Sequence, residues 1–290
     1  MNKHRKTFRW ATWLGWQLES NWTEPWLFLI YVLVKPLTSS LLLVCMYYAA
    51  RTATQGRVPV EFLPYMYVSN ACYMLVGAVM FGMSYAVISD REHFRMLKYI
   101  YISPAHLQTY FVGRALAGAA QALLGGILNL GIGALAFPQV REALTRHPVE
   151  WGWLVIYLLL GTVLLVSLGL ILAATVLNMA RQGMYLSEGI SGILYLLCGV
   201  VFPLAALPMI LQYVSLTLPP TYWLEGMRRA LLGSSPEIML HGPLSAWTHG
   251  EIALALLSST TVLGMFAVWF FQYSERRAWR RGRIEETTGA

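Results

Sequence analysis

Charge is what this sequence has least of. Of its 290 residues only 12% are charged, about half the share in a soluble domain. Fourteen are acidic, and four are lysines (Lys3, Lys6, Lys35, Lys98). With 57% hydrophobic residues and a mean hydropathy of +0.53, a soluble globular chain is excluded and an integral membrane protein is implied. The apolar runs do not alternate with period two, so helices are expected rather than a barrel. Three cysteines are too few for a disulfide framework. Cys45, Cys72 and Cys198 all fall in apolar runs and read as small core residues. The six histidines are scattered, without metal-ligand spacing, and no nucleophile stands beside a base. No G-x-x-x-x-G-K-[ST] occurs, and no lysine follows a glycine-rich loop, so no P-loop nucleotide site is expected. An early apolar core with a small-residue cleavage site is also missing, so no signal peptide is expected. The net charge of +7 is no nucleic-acid signal. The cations cluster at the two ends, MNKHRKTFR and ERRAWRRGR, where they would meet anionic lipid.

What charge there is concentrates in one island, Asp90 to Pro104 (DREHFRMLKYIYISP). Apolar sequence flanks it: Tyr65–Ser89 before, and Leu107–Phe137 after, where Arg114 is the one charge. Such a segment must sit at a membrane face, and Arg91, Arg95 and Lys98 favour the cytoplasmic one. Phe94, Leu97 and Tyr101 recur at i, i+3, i+7 and would form one apolar stripe on a short surface helix. That helix would stop before Ser103-Pro104. A soluble partner could grip it. An ordinary solvated loop is the competing reading.

The fold class expected is an all-α polytopic membrane protein with six transmembrane helices. Residues 1–25 form a cytoplasmic tail with an interfacial helix, because Trp10, Trp13, Trp16 and Trp22 mix with polar residues. Residues 26–273 hold spans at about 26–48, 61–89, 108–137, 151–179, 184–202 and 251–273, and residues 274–290 form a basic cytoplasmic tail. Small residues such as Gly118, Ala122 and Gly126 allow close packing of the third span. Prolines 203, 208, 219 and 220 break the stretch after the fifth span. Residues 203–233 therefore read as an outer re-entrant hairpin with a second short helix, in which Glu225 and Arg229 pair at i, i+4. With both termini inside, Lys and Arg number 13 on the inner face and 6 on the outer, which supports this orientation.

Two stretches resemble the membrane subunit of ABC-2 type (type II) ABC exporters, similar to multidrug or daunorubicin-resistance and polysaccharide or lipid export permeases. The first is the island, an acidic–basic run after the second span that ends in Ser103-Pro104. The second is ordered over roughly thirty-five residues. It comprises Phe202-Pro203, Leu207-Pro208, Leu218-Pro219-Pro220-Thr221-Tyr222, Glu225, Arg228 and Leu231-Leu232-Gly233. Where many members have Gly-Thr-Leu-Glu in the island, this chain has Arg95-Met96-Leu97-Lys98.

The resemblance implies an ATPase-coupling helix at residues 90–104, with Asp90, Arg91, Glu92, Phe94, Leu97, Tyr101, Ser103 and Pro104 as its contacts. It implies an exit gate with Phe202, Pro203, Leu207, Pro208, Pro219, Thr221, Tyr222, Glu225 and Arg228. It also implies a second permease copy, identical or not, and a separate ATPase subunit. ATP and Mg would be bound by that partner, with no cofactor on this chain. A bacterial or archaeal plasma membrane follows, with lipid and no nucleic acid among the partners.

The function expected is thus the permease of an ATP-driven exporter of an amphiphile: a drug-like molecule, a lipid or a lipid-linked glycan. An ion- or proton-coupled secondary transporter is the alternative. That class needs ionisable groups in its spans, and here only Lys35, Arg114 and Glu188 qualify. Lys35 and Glu188 are pathway candidates, expected to pair near the inner mouth, because a paired charge costs less than a lone one; two independent side chains that snorkel to the interface are the competing reading.

Overall fold

The computed structural model describes residues 3–20, 25–103, 105–179, 182–233 and 242–282, and every regular element among them is a helix. The chain begins with α1 (Lys3–Glu19) and α2 (Pro25–Ala53). Gln55 (φ 52) and Gly56 (φ 83) end α2 in the left-handed region, and Gly56 N–H closes back onto Arg51 C=O at 2.8 Å. One continuous helix then covers Phe62–His93. Its α-helical parts are α3 (Phe62–Leu75) and α4 (Gly82–Ile88). Two π turns, Val76–Phe81 and Ser89–His93, interrupt it. Next come α5 (Leu97–Ile102), α6 (Leu107–Ala136), α7 (Pro138–Arg146) and α8 (Trp151–Leu177). The chain continues with α9 (Gly183–Leu197), α10 (Met209–Thr217), α11 (Pro219–Leu232) and α12 (His249–Arg280).

Five helices are long and apolar enough to cross a membrane: Trp26–Ala53, Phe62–His93, Leu107–Ala136, Trp151–Leu177 and His249–Arg280. The expected fifth span, 184–202, is shorter. α9 has 15 residues, which at about 1.5 Å each falls short of a bilayer core of about 30 Å. It stops because Gly199 takes φ +74 and Pro203 follows. The expected hairpin is present as a 3-10 turn at Leu204–Ala206, then α10 and α11. Pro219 opens α11, where its missing N–H costs nothing. The region 138–150, between the expected third and fourth spans, contains α7. The last span does not stop at 273. Its helix runs through Arg276, Arg277 and Arg280, whose charges suit a helix C-terminus. Its other end is fixed by a capping box, in which Glu251 N–H donates to Thr248 Oγ1 and Thr248 N–H donates to Glu251 Oε2.

The packing follows the small residues. A Cβ on Gly118 would stand 2.9 Å from Ala78 O, so α6 meets the second span backbone to backbone. On its other side α6 holds α1. A Cβ on Gly113 would stand 2.7 Å from Ala11 Cβ and 2.9 Å from Phe8 O. His4 stacks on His106 at 3.9 Å, and Gly15 lies against Arg114 and Ala117. The contacts advance in the same direction along both helices, so α1 runs alongside the first turns of α6, with Trp10 and Trp13 turned outward. α8 is central. Tyr157 and Trp223 interlock with Gly226 and Gly161 and tie α8 to α11, and Trp223 Nε1 donates to Tyr157 O at 3.0 Å.

Candidate functional site

The charged island leaves the second span through the π turn at Ser89–His93. Asp90 is fully buried. Arg114 Nη1 donates to its Oδ1 at 2.5 Å and Tyr110 OH to its Oδ2 at 2.9 Å, both from α6. Arg91 is buried too. Its Nη1 donates to Met179 O at 3.0 Å, just past the end of α8, where a cation suits the helix dipole. Its Nη2 meets Glu92 Oε1 at 3.2 Å. The first two residues assigned to partner contact are therefore internal struts that fix the island to α6 and α8.

The expected stripe of Phe94, Leu97 and Tyr101 does not form one surface. Leu97 is buried, Tyr101 is half-buried, and Phe94 points outward. The cause is Arg95, whose φ of 51 lies in the left-handed region. It breaks the helix, and α5 restarts at Leu97 with a new phase. The outward face consists instead of His93, Phe94, Arg95, Lys98, Tyr99 and Ile102, the last 78% exposed. Ser103 turns its hydroxyl back to Ile100 O at 2.7 Å, and Pro104 lies outside the described residues. Burial pushes the Tyr101 phenol above its usual range, with the Glu275 carboxylate of α12 adding to the shift.

At the opposite end, the gate candidates divide in the same way. The expected Glu225–Arg229 pair is present, Nε to Oε1 at 3.1 Å, and Glu225 also takes Arg228 Nη2 at 2.8 Å. Arg228 is fully buried and joins three elements. Its Nη1 donates to Ser69 Oγ of α3 and to Gly199 O after α9, each at 3.0 Å, and its guanidinium lies 4.5 Å from the Tyr65 ring centroid. Arg229 donates to Leu244 O and Trp247 O ahead of α12. These arginines, two of the six cations assigned to the outer face in the charge count, are core braces. Thr221 Oγ1 donates to Ser215 O at 2.8 Å and Tyr222 OH to Leu216 O at 2.7 Å, which folds α10 onto α11. Pro203, Leu207 and Thr221 are buried, and Pro219 is half-buried. Phe202, Pro208 and the Met209, Ile210 and Tyr213 side chains of α10 form the free surface.

Between the two ends lies a polar network that the sequence reading did not single out. Asn70 Nδ2 donates to Ser39 Oγ at 3.0 Å and to Ser40 Oγ at 2.9 Å. Tyr195 OH donates to Asn70 Oδ1 and Asn129 Nδ2 to Ser40 Oγ, each at 2.9 Å. Tyr67 OH completes it on Asn129 Oδ1 at 2.9 Å. It links α2, α3, α6 and α9. The available signal was an asparagine, Asn70 or Asn129, inside each of two apolar spans, since such groups seek partners on neighbouring helices. Glu188 lies exposed on α9. The side chain of its expected partner Lys35 lies outside the described residues. No cluster of metal-ligating side chains occurs among the described residues.

The family model described as ABC-2 type transporter matches residues 8–232. The chain belongs to the ABC-2 type transporter family. The match runs from within α1 to the end of α11, and so takes in both charged clusters and the polar network. No curated protein matches the chain. As an ABC-2 type protein it is a multi-pass membrane subunit of an ABC transporter, a family whose permeases work with an ATPase subunit.

Proposed function

We propose that this chain is the permease of an exporter that moves an amphiphilic substrate out of the cytoplasm or inner leaflet, driven by ATP hydrolysis on a separate subunit. The observation that carries the reading is the placement of residues 93–102 in an ABC-2 type chain. Asp90 and Arg91 hold the segment to α6 and α8, while Phe94, Lys98, Tyr99 and Ile102 stand free for a soluble ATPase. Motion there reaches the bundle through those struts and through Ser84, which bonds Ser187 of α9 at 2.9 Å. Two permease copies would face each other over two ATPases, which bind the ATP and Mg. The α10–α11 hairpin, braced by Glu225 and Arg228, forms the gate. Asp90 and Arg114 are tied to each other, which disfavours a proton-coupled carrier built on them.

The test is recovery of the full chain from its native membrane in mild detergent, followed by an ATPase assay on the purified material. Co-purifying hydrolysis is expected. A chain that brings down no ATPase contradicts the proposal and moves the secondary-transporter reading to first place.

A further inference from the structure

A cavity of about 470 Å³ opens between α1 and the C-terminal end of α5 with the residues just after it. Lys6, Thr7, Trp10 and Leu14 form one wall, with Ile100 and Ser103 opposite. The wall is firmly held, because α1 meets α6 at the Gly113 contact. Most of the lining is apolar, but its rim is not. Lys6 is exposed, without an ion pair among the described residues, and Arg5 and Arg9 flank it on the same helix. No acidic residue occurs between Lys3 and Leu18. Trp10, 64% exposed, stands at the mouth, and indoles favour the headgroup region of a bilayer.

We propose that this cavity binds one anionic phospholipid, with its phosphate at Lys6 and an acyl chain along Trp10, Leu14 and Ile100. The volume falls in the range of small-molecule sites, roughly 300–1,000 Å³. A soluble anion would leave the apolar wall unused. A zwitterionic lipid would leave the excess positive charge of this turn uncompensated. Ile100 of the far wall shares α5 with Tyr99 and Ile102, so a bound lipid braces the exposed segment against α1. The inference rests on the cavity and its charge and is independent of what the protein transports.

The probe is an equimolar mixture of dioleoyl phosphatidylglycerol and dioleoyl phosphatidylcholine in detergent micelles. The delipidated full chain is exchanged into it, and the retained lipid is counted by native mass spectrometry. Wild type retains phosphatidylglycerol in preference. Lys6→Ala, at an exposed site that leaves the fold intact, lowers that retention about fivefold, the effect of one cation at an anionic surface. Ala105→Trp fills the cavity without touching a charge and also abolishes retention. Arg9→Ala, outside the lining, changes it less than twofold. Equal losses from Lys6→Ala and Arg9→Ala, full retention by Ala105→Trp, or equal binding of the two lipids would each overturn the proposal in favour of diffuse attraction.

Discussion

Arg114 reaches Asp90 across twenty-four residues and closes an ion pair of 2.5 Å in which neither side chain is more than 7% exposed. It fixes the point where the second span ends and the charged segment begins. Removing one partner of a buried pair strands the other charge, at a cost of about 3–5 kcal/mol. Asp90→Ala and Arg114→Ala should each lower the melting temperature in detergent by that equivalent. The swap Asp90→Arg with Arg114→Asp should recover part of it. A swap no better than the worse single variant would mean that the two residues do not act as a pair.

Arg228 is the corresponding tie at the hairpin end. It spans Glu225, Ser69 and Gly199, and only a forked guanidinium reaches all three. Arg228→Ala should cost about 3–5 kcal/mol, and Arg228→Lys should recover less than half of it. Thermal unfolding gives the loss, and faster proteolysis within residues 199–219 would locate it at the hairpin.

Arg95 occupies a backbone conformation that glycine adopts freely. Relief of about 1–2 kcal/mol of left-handed strain outweighs about 0.5–1 kcal/mol of added unfolded-state entropy. Arg95→Gly should therefore leave stability unchanged or raise it by about 0.5 kcal/mol. Arg95→Val, β-branched, should lower it by about 1 kcal/mol or more. A large loss on Arg95→Gly would show that the guanidinium itself holds the segment.

The polar network predicts non-additivity. Ser40 receives a bond from both Asn70 and Asn129, so either amide keeps part of the network without the other. Asn70→Ala and Asn129→Ala should each cost about 0.6–1.7 kcal/mol. Together they should depart from the sum by about 0.5 kcal/mol or more, read as melting-temperature shifts in a double-mutant cycle. Strict additivity would place the two amides in separate environments.

Much of the fold was legible because long apolar runs and proline breaks are local signals. Five spans and the hairpin follow from them. The Glu225–Arg229 pair was legible for the same reason, since i, i+4 spacing lies within one helix. The short α9 was not. Hydropathy stays high through Val201, and the helix ends ahead of Pro203 because Gly199 turns left-handed. The stripe of Phe94, Leu97 and Tyr101 was misread because its periodicity assumes an unbroken helix, which Arg95 interrupts. The partners that tie Asp90, Arg91 and Arg228 to other helices lie 20 to 159 residues away, beyond the reach of any local pattern. A charge in an island therefore reads as surface when the fold has turned it inward.

The central claim is that the segment offers its outer face, and not its stripe, to an ATPase. The most direct measurement compares ATPase activity recovered with wild type and with the double variant Tyr99→Asp, Ile102→Asp, both purified from the native membrane. These side chains are 61% and 78% exposed, so the melting temperature should not move. The account predicts that the recovered ATPase is lost while the permease remains folded. Full ATPase recovery with the double variant would contradict it.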